Sequence, residues 1–315
     1  MMGAALALGE RGRGQTAPNP SVGCVIVKDG RVVGRGWTQP GGRPHAEAMA
    51  LAQAGETARG ATLYATLEPC AHISERGPAC AGLIVESGIG RVVAALVDPD
   101  PRTDGSGIDR LRAAGVAVET GVRAGEATRS MAGFLTRCRH HRPYVTLKLA
   151  LSLDGCIALP DGQSKWITGP AARAHGHLER ARTDIILVGR GTFDADSPSL
   201  DVRLPGLEHR SPARALLTHG DAPEGWLTVA TPAGIATLPG NEILIEGGAQ
   251  TASAFLAADL VDRLLIYRAP ILIGGRQALG DIGLADLGDA HGRWLAQDSR
   301  LLGNDRLDIY ERVRE

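Results

Sequence analysis

Short runs of β-branched and apolar residues alternate with helix-like stretches along most of the chain, and this alternation constrains the fold more than any other feature of the sequence. In the first part of the chain it predicts strands at 22–27, 32–34, 61–66, 91–97 and 116–119, with helices at 44–54, 80–87 and 107–114. Asp29-Gly30, between two β-branched runs, predicts a hairpin turn. Strands that alternate with helices predict an α/β fold with a mostly parallel sheet covered on both faces.

A polar and basic segment at residues 137–143, which ends in proline, interrupts this alternation and is the predicted linker. Together with a length of 315 residues, it predicts two domains, 1–143 and 144–315. The first contains 17 basic against 13 acidic residues, a net charge of +4, and the second 17 against 22, a net charge of −5. In the second domain we expect strands at 144–151, 185–188, 215–218, 227–230, 243–245, 263–269 and 306–312, with helices at 170–181 and 252–260.

Composition excludes several classes of protein. The net charge of −1 provides no basic footprint for nucleic acid, and no apolar run approaches the roughly 20 residues that cross a bilayer. The short apolar start at 3–8 has no basic residue before it, unlike a secretory signal. Five widely spread cysteines do not form the even-numbered framework of a small secreted protein. We therefore expect a soluble cytoplasmic protein with reduced or metal-bound thiols and without nucleic-acid or membrane partners.

Three residues of the first domain have the chemistry of zinc ligands: His45, Cys70 and Cys80. One imidazole and two thiolates leave the fourth tetrahedral position open for water, as in a catalytic site. Pro44 and Pro69 precede His45 and Cys70, and proline favours the first position of a helix, so we expect both ligands at helix N-termini. Backbone N–H groups stabilise thiolates there. The pattern predicts a hydrolytic zinc centre.

Glu47 is the predicted general acid/base, because a carboxylate in the first helical turn can reach a metal-activated water without binding the metal. His-x-Glu followed later by Pro-Cys is typical of the zinc nucleobase deaminases. Taken alone, His45 is better explained as a capping or core residue, and the cysteines as buried thiols. The combined pattern favours a metal site, whereas for Cys24, Cys138 and Cys156 we expect packing roles.

Four motifs follow one another in the first domain: Thr16-Ala17-Pro18-Asn19-Pro20-Ser21-Val22-Gly23-Cys24, His45-Ala46-Glu47, Leu67-Glu68-Pro69-Cys70-Ala71-His72 and Asp98-Pro99-Asp100-Pro101. In this order they resemble the deaminase half of the bifunctional riboflavin-biosynthesis deaminase/reductase. The resemblance implies an N-terminal three-layer, cytidine-deaminase-like zinc domain and a C-terminal dihydrofolate-reductase-like α/β domain. It also implies that Asn19, His72 and Arg76 contact the substrate. The loop before Cys80 is one residue longer than the family's, and Gly77 stands where threonine is expected.

The second domain carries a candidate phosphate-binding loop. Glu246-Gly247-Gly248 follows the predicted strand 243–245 and opens a helix, so backbone N–H groups can hold a phosphate there. The segments 164–169, 187–192 and 197–203 resemble the reductase half of the same family. The resemblance implies that NADPH contacts Ala150, Trp166, Thr192, Asp196, Gly248, Ala249, Gln250, Thr251, Ala252, Ser253 and Ala254. It implies that the substrate contacts Lys148, Asp154, Ser164, Arg180, Leu200, Arg203 and Glu246.

Lys148 lies in an otherwise apolar predicted strand, so its amine must be paired, face a cleft, or extend from a strand at the edge of the sheet. Asp154 follows the end of this strand, where α/β sheets place ligands. Arg180 and Arg203 suit a sugar phosphate because guanidinium forks pair with its oxygens, although ordinary surface charge explains either residue taken singly.

The resemblance therefore implies a bifunctional enzyme of riboflavin biosynthesis that uses zinc and NADPH. Its first domain would deaminate the ribotide 2,5-diamino-6-(5-phosphoribosylamino)pyrimidin-4(3H)-one. Its second would reduce the ribosyl chain to give 5-amino-6-(5-phosphoribitylamino)uracil. We also expect a homo-oligomer. Two other hypotheses stay open: a cytidine or tRNA deaminase with an appended domain, and a structural zinc site closed by a fourth ligand such as His72, beside a nucleotide-binding regulatory domain.

Overall fold

A computed structural model describes residues 1–72 and 76–314 of the chain, which divides into two compact units, Met1–His141 and a second that begins at Arg142. The first unit contains α1 (Met2–Gly9), β1 (Gly23–Lys28), β2 (Arg31–Trp37), α2 (Ala46–Ala54), β3 (Thr62–Ala65), α3 (Cys80–Glu86), β4 (Arg91–Ala94), α4 (Ser106–Ala113), β5 (Ala117–Thr120), α5 (Ala124–Ser130) and α6 (Ala132–His140). The second contains β6 (Tyr144–Leu151), β7 (Cys156–Ala158), α7 (Pro170–Arg180), β8 (Ile185–Gly189), α8 (Arg190–Asp196), β9 (Ala213–Leu217), β10 (Leu227–Val229), β11 (Glu242–Ile245), α9 (Ala249–Ala257), β12 (Arg263–Arg268), β13 (Arg276–Gln277), β14 (Trp294–Leu302) and β15 (Asp305–Arg312).

The sheet of the first unit has the order β2-β1-β3-β4-β5 and is mixed. Strand β1 runs antiparallel to β2 and β3, whereas β3, β4 and β5 are parallel. The prediction of a mostly parallel sheet is therefore wrong for this unit, because a tight turn joins β1 to β2 and such a turn connects only antiparallel strands. The turn itself is confirmed: Asp29 and Gly30 have φ values of 48° and 76° between the paired residues Lys28 and Arg31.

Helices cover both faces of this sheet and give it three layers. A β-carbon at Gly23 would collide with the carbonyl oxygen of Ala5 in α1. Gly36 pairs with Cys24 and so lies on the other face, where a β-carbon would collide with the carbonyl oxygen of Ala46 in α2. Glycine at these two positions lets a helix backbone touch each face. The N-terminus of α2 is thereby fixed close to the sheet.

The segment 137–143, which was predicted to be a linker, is helical as far as His140 in α6. Phe134 and Leu135 anchor this helix in the core of the first unit. Its last turn is basic, which suits the negative end of a helix dipole. His141, with a φ of 54°, then ends the helix in the left-handed conformation.

The second unit is built on an eight-stranded sheet of order β10-β9-β8-β11-β6-β12-β15-β14. The first six strands are parallel, and β15 and β14 extend the sheet as an antiparallel hairpin. Phe255 of α9 packs on the face that carries Leu187, whereas Phe193 of α8 packs on the face that carries Val188. Since α8 follows β8 and α9 follows the neighbouring β11, the two connections leave the sheet on opposite sides and open a crevice between them.

Within the described residues, no helix has both the length and the apolar character needed to cross a membrane.

Candidate active sites

The side chains of His45, Cys70 and Cys80 come together in the first unit. Their candidate ligand atoms all lie within 4.8 Å of one another. The Nδ1 atom of His45 lies 3.5 Å from the Sγ atom of Cys70 and 3.3 Å from that of Cys80. His45 and Cys70 also line a pocket of about 240 Å³. One imidazole nitrogen and two sulfurs at this spacing form a donor set that fits zinc and leaves a position facing the pocket.

Three separate segments of backbone supply these side chains. His45 is the extended N-cap residue of α2, Cys80 is the first residue of α3, and Cys70 lies in irregular chain beyond β3. The prediction of a helix N-terminus at Cys70 is wrong, because residues 70–72 are not helical and the next helix of the described residues, α3, begins at Cys80. The backbone N–H of Cys80 donates to the Sγ atom of Cys70 over 3.3 Å, and the N–H of Ala81 donates to the carbonyl oxygen of Cys70 over 3.1 Å. Helix N–H groups therefore do face the Cys70 sulfur, but α3 provides them.

The pKa values of the two cysteine thiols are shifted in opposite directions. The hydrogen bond from the thiol of Cys80 lowers the pKa of Cys70 to about 4. The same interaction, together with burial, raises the pKa of Cys80 well above its ordinary value. Because thiolates rather than thiols bind zinc, a pair in which one sulfur ionises readily is a suitable donor set.

Glu47 lies in the first turn of α2, is only 3% exposed, and lines the same pocket. Burial raises the pKa of its carboxyl group. The cluster of possible metal ligands in the described part of the chain consists of His45, Cys70 and Cys80 and does not include Glu47. A buried carboxyl group with a raised pKa beside a metal site is suited to proton transfer.

Asn19 contacts the far side of the His45 ring. Its Nδ2 atom lies 3.0 Å from His45 Nε2 and also donates to the carbonyl oxygen of Gly42 over 3.0 Å. A polar partner on the ring nitrogen opposite the one that faces the two cysteine sulfurs fixes the orientation of the ring. Asn19 therefore contacts the His45 ring and also lines the pocket, and its contact with the substrate stays a prediction.

His72 and Arg76 line the pocket too. The Nδ1 atom of His72 lies 3.4 Å from the hydroxyl oxygen of Thr103, and the guanidinium of Arg76 donates to the carbonyl oxygen of Gly41 over 2.6 Å. In the part of the chain that the structure describes, His72 is not a member of the ligand cluster. This disfavours the hypothesis of a structural zinc site closed by His72.

Glu68 was quoted in a motif without a role, and the structure gives it one. Its buried carboxylate accepts backbone N–H groups over distances of 2.9–3.1 Å from Asp98, Gly105, Gly107 and Ile108. It thereby ties the segment before Cys70 to the turn at Asp98 and to the start of α4. These contacts span 30–40 residues, so no local sequence signal identifies them.

Besides Glu68, four charged residues of the pocket were not predicted as site residues: Arg43, Asp98, Asp100 and Arg102. Burial raises the pKa of Asp98 to about 7. Asp100 is held by Arg102, whose Nε and Nη2 atoms donate to its carboxylate at 2.9 and 2.5 Å. Asp98 and Asp100 were in a quoted motif, so their presence was visible in the sequence but their approach to the zinc cluster was not.

In the second unit, the loop after β11 meets the segment after β8. The backbone N–H of Gly248, the N-cap of α9, donates to the hydroxyl oxygen of Thr192 over 3.0 Å. The N–H of Ala252 donates to the carbonyl oxygen of Gly248, so the first-turn N–H groups of residues 249–251 are those left without helical partners. A β-carbon at Gly248 would meet only Thr192, at 3.4 Å. This open helix start fits the phosphate groups of a dinucleotide.

The side chains of Thr251, Ala252 and Ser253 are buried, so these residues face the protein interior. Thr251 fills the space beside Gly189 and Gly247, where a β-carbon would collide with it. These residues shape the loop through packing, and only their backbone groups remain to meet a ligand.

Glu246 binds two cations at the carboxyl end of β11. Lys148 approaches its carboxylate at 3.3 Å, and Arg180 pairs with it through two bonds of 2.7 and 3.0 Å. Burial opposes ionisation of Glu246, but the positive charges of Lys148 and Arg180 outweigh it and lower the pKa of Glu246 to about 2. Lys148 lies in β6, between β11 and β12, so the alternative of an edge position is wrong.

Two more of the site residues predicted in the second unit, Asp154 and Arg203, make polar contacts of their own. Asp154 accepts hydrogen bonds from the hydroxyl of Ser152 and from two backbone N–H groups, which lower its pKa. Arg203 is exposed and pairs with Asp201, whose carbonyl oxygen accepts a bond from Arg180.

Trp166 is 65% exposed, and the guanidinium of Arg173 lies 4.8 Å from its ring centre. Asp196 pairs with Lys165 at 2.8 Å. Leu200 is buried, Ser164 is partly exposed, and Ala150 lies in β6 beside Tyr267 of β12.

Both halves of the chain match known protein families. Residues 1–96 match the cytidine and deoxycytidylate deaminase zinc-binding region, and residues 143–231 and 233–301 match the RibD C-terminal domain. The riboflavin biosynthesis protein RibD of Escherichia coli is 40% identical over 87% of this chain and 88% of that protein. The chain belongs to the RibD family. It is thus a bifunctional riboflavin-biosynthesis enzyme with a zinc-binding deaminase domain and an NADPH-dependent reductase domain.

Solved structures of the RibD family have the same architecture. RibD of Acinetobacter baumannii superimposes with a TM-score of 0.87 at 35% identity and covers 99% of this chain and 98% of that one. A diaminohydroxyphosphoribosylaminopyrimidine deaminase/5-amino-6-(5-phosphoribosylamino)uracil reductase of Thermotoga maritima gives 0.89 at 31% identity, with 99% and 97% covered. The expected fold class, a deaminase domain followed by a RibD reductase domain, is confirmed.

Proposed function

We propose that this RibD protein deaminates 2,5-diamino-6-(5-phosphoribosylamino)pyrimidin-4(3H)-one in residues 1–143. Residues 144–315 then reduce the ribosyl chain with NADPH to give 5-amino-6-(5-phosphoribitylamino)uracil. The observation that carries this proposal is the convergence of His45, Cys70 and Cys80 with the buried Glu47 on one pocket. The name of the Thermotoga maritima relative supports the choice of substrate.

In the deaminase, His45, Cys70 and Cys80 hold zinc, which when bound makes water nucleophilic near neutral pH. Asn19 holds the His45 ring in place through its Nε2 side. Glu47 takes the proton of the attacking water and delivers it to the departing amino group. Burial suits Glu47 to both tasks, because a raised pKa makes its carboxyl group a better proton acceptor and keeps the proton available for return.

In the reductase, the N-terminus of α9 would hold the phosphates of NADPH, which when bound would supply the hydride for reduction of the ribosyl chain. Gly248 leaves space for the phosphates and Thr192 holds the Gly248 N–H in position. Lys148 and Arg180 present positive charge near the crevice, and Glu246 fixes both side chains in one arrangement. The sugar and its phosphate bind against this cluster, with Arg203 at its exposed end.

The test is to incubate the zinc-loaded protein with the diaminopyrimidinone ribotide and NADPH while ammonia release and NADPH oxidation are recorded together. Wild-type protein is expected to give both signals. Glu47→Gln is expected to lose ammonia release by at least about a hundredfold, and NADPH oxidation with it, yet to oxidise NADPH normally when given the deaminated ribotide. Glu56→Gln, an exposed glutamate after the same helix, is the matched control and should behave as wild type.

Ammonia release without NADPH oxidation would refute the reductase half of the proposal. Equal activity of Glu47→Gln and wild type would refute the role of Glu47. Absence of both signals in zinc-loaded wild-type protein would refute the choice of substrate.

We further propose that the enzyme is a cytoplasmic homo-oligomer. None of the five cysteines forms a disulfide in the described residues, which supports a reducing compartment. The edge strand β14 supports self-association, because Leu295 and Leu301 are 57% and 72% exposed beside unpaired strand backbone. Light scattering on the purified protein tests this proposal, and a mass near 33 kDa, that of one chain, would contradict it.

A further inference from the structure

The loop between α8 and β9, residues 197–212, carries two of the predicted substrate contacts of the reductase, Leu200 and Arg203. Ser197 and Leu200 in this loop have positive φ values of 41° and 56°. Residues other than glycine rarely adopt this conformation, so the loop depends on contacts that hold it in place. The buried side chain of Leu200 supplies one such contact.

The last turn of α7 supplies further contacts to this loop. His177 and Arg180 are three residues apart and so lie on the same face of the helix. The Nη1 atom of Arg180 donates to the carbonyl oxygen of Asp201 over 2.9 Å. The Nδ1 atom of His177 lies 3.2 Å from the same carbonyl oxygen and 3.3 Å from the backbone nitrogen of Arg203. One ring nitrogen of His177 therefore faces both an acceptor and a donor of the loop.

The Nδ1 atom of His177 cannot serve both partners at once. Without a proton it accepts from the backbone N–H of Arg203, and with a proton it can only donate to the carbonyl oxygen of Asp201. That carbonyl oxygen already accepts a bond from Arg180, so the second state adds little to the loop. The first state gives the Arg203 N–H its acceptor. The proton on Nδ1 thus decides whether the loop is held at Arg203.

The surroundings of His177 favour the uncharged ring. Burial, followed by the positive charges of Arg180 and Arg203, lowers the pKa of His177. The carbonyl group of Asp201 and the carboxylate of Glu246 oppose this shift, and the carboxylate of Asp201 is paired with Arg203 at 3.5 Å. A neutral imidazole carries one proton, and a proton on Nε2 leaves Nδ1 as an acceptor.

We propose that His177 is a positioning residue of the reductase, which holds Arg203 against the phosphate of the ribotide by accepting the Arg203 N–H at its unprotonated Nδ1 atom. This proposal rests on the reductase function proposed above. Because the backbone of Arg203 is held, its guanidinium loses less conformational freedom when the ribotide binds. Protonation of His177 removes this contact, so binding of the ribotide weakens in acid.

The test measures KM and kcat for reduction of the deaminated ribotide between about pH 5 and about pH 8. His177→Asn keeps an acceptor oxygen close to the position of Nδ1 but does not titrate, whereas His177→Ala has no acceptor. At about pH 8, the KM for the ribotide should rise about fivefold in His177→Ala and less than about twofold in His177→Asn, because only the first loses the hydrogen bond. The KM for NADPH should change less than about twofold in both variants, since the contacts of Gly248 are untouched.

The pH profile separates the proton of His177 from the proton of the substrate. A phosphate monoester itself gains a proton near about pH 6, so each KM is compared with that of His177→Asn at the same pH. The ratio of the wild-type KM to the His177→Asn KM should rise about fivefold in acid, whereas the ratio for His177→Ala should stay constant. His291→Asn replaces an exposed histidine of the same unit and is the matched control, which should follow wild type.

Thermal unfolding of each variant establishes that the second unit is intact. Equal KM values of His177→Ala and wild type at about pH 8 would overturn the proposal, and so would a ratio of wild type to His177→Asn that does not change with pH. NMR spectra of protein labelled with ¹⁵N-histidine provide a test that needs no turnover, with the His177 signal identified by its absence in His177→Asn. A neutral ring protonated at Nε2 is expected, and a neutral ring protonated at Nδ1 would overturn the proposal.

A wild-type protein that oxidises no NADPH with the deaminated ribotide would refute the reductase function itself. This outcome is distinct from a failure of His177, because the tautomer of the His177 ring is measured without substrate.

Discussion

Replacement of Glu246 by glutamine removes the only negative charge between Lys148 and Arg180 in the hydrogen-bonded cluster that the structure describes. The three side chains are 9%, 25% and 14% exposed, so the two cations would be left partly buried without a partner. The pKa of Glu246 is lowered from 4.5 to about 2, which corresponds to about 3 kcal/mol of stability at neutral pH. Loss of one partner of a buried ion pair costs about 3–5 kcal/mol in other proteins, which is the same range.

The pH dependence of this effect has a definite sign. A carboxylate whose pKa is lowered by folding stabilises the folded chain above its unfolded pKa, and the stabilisation is lost as pH falls toward the folded pKa. The free energy of unfolding of Glu246→Gln should therefore be about 3 kcal/mol lower than that of wild type at neutral pH. This difference should become smaller below about pH 4.5. At about pH 3, roughly 1 kcal/mol of this difference in unfolding free energy should remain.

Denaturant unfolding followed by tryptophan fluorescence measures this gap, because Trp166, Trp226 and Trp294 all lie in the second unit. Glu208→Gln, an exposed glutamate of the same unit, is the matched control and should cost less than about 0.5 kcal/mol. The reasoning is refuted if Glu246→Gln costs no more than the control at neutral pH, or if its cost does not decrease in acid.

Three further predictions concern other contacts. Glu68→Gln should lower the free energy of unfolding of the deaminase domain by about 2 kcal/mol in a denaturant titration, because an amide NH₂ cannot accept the backbone N–H groups; an unchanged midpoint would contradict this. Thr192→Val should raise the KM for NADPH about tenfold in steady-state assays, because the Gly248 N–H loses its acceptor, and an unaltered KM would exclude that role. Cys70→Ser should lose zinc by elemental analysis while Cys138→Ser keeps it, and equal zinc in both would remove Cys70 from the ligand set.

Most elements with a strong hydrophobic pattern were predictable, and the weakly patterned ones were not. Strand β14 escaped prediction because its residues are exposed along nearly its whole length, so it lacks the alternation of a half-buried strand. Helix α8 was not predicted because it has only seven residues and none of them is buried. The end of α6 was mistaken for a linker because basic residues at a helix C-terminus resemble a loop in composition.

In the candidate sites, too, some features were predictable from the sequence and others were not. The ligand types at His45, Cys70 and Cys80 and the proposed acid/base role of Glu47 follow from residue chemistry and order in the sequence. The partners of Glu68 could not be predicted, because a carboxylate that caps backbone 30 or more residues away has no local pattern. The hydrogen bond from Arg43 to the carbonyl oxygen of Pro78 likewise joins two loops that are distant in the sequence.

The order of the two domains was predictable from the order of the motifs that resemble the family. The residue types able to bind zinc and the glycine loop before α9 were predictable from side-chain chemistry and short-range backbone preference. The helix that presents its N–H groups to the Cys70 sulfur and the carboxylate that binds Lys148 depend instead on tertiary packing. The same holds for the antiparallel pairing of β1 with β3. Those features arise when segments far apart in the chain pack together, and local sequence does not encode that packing.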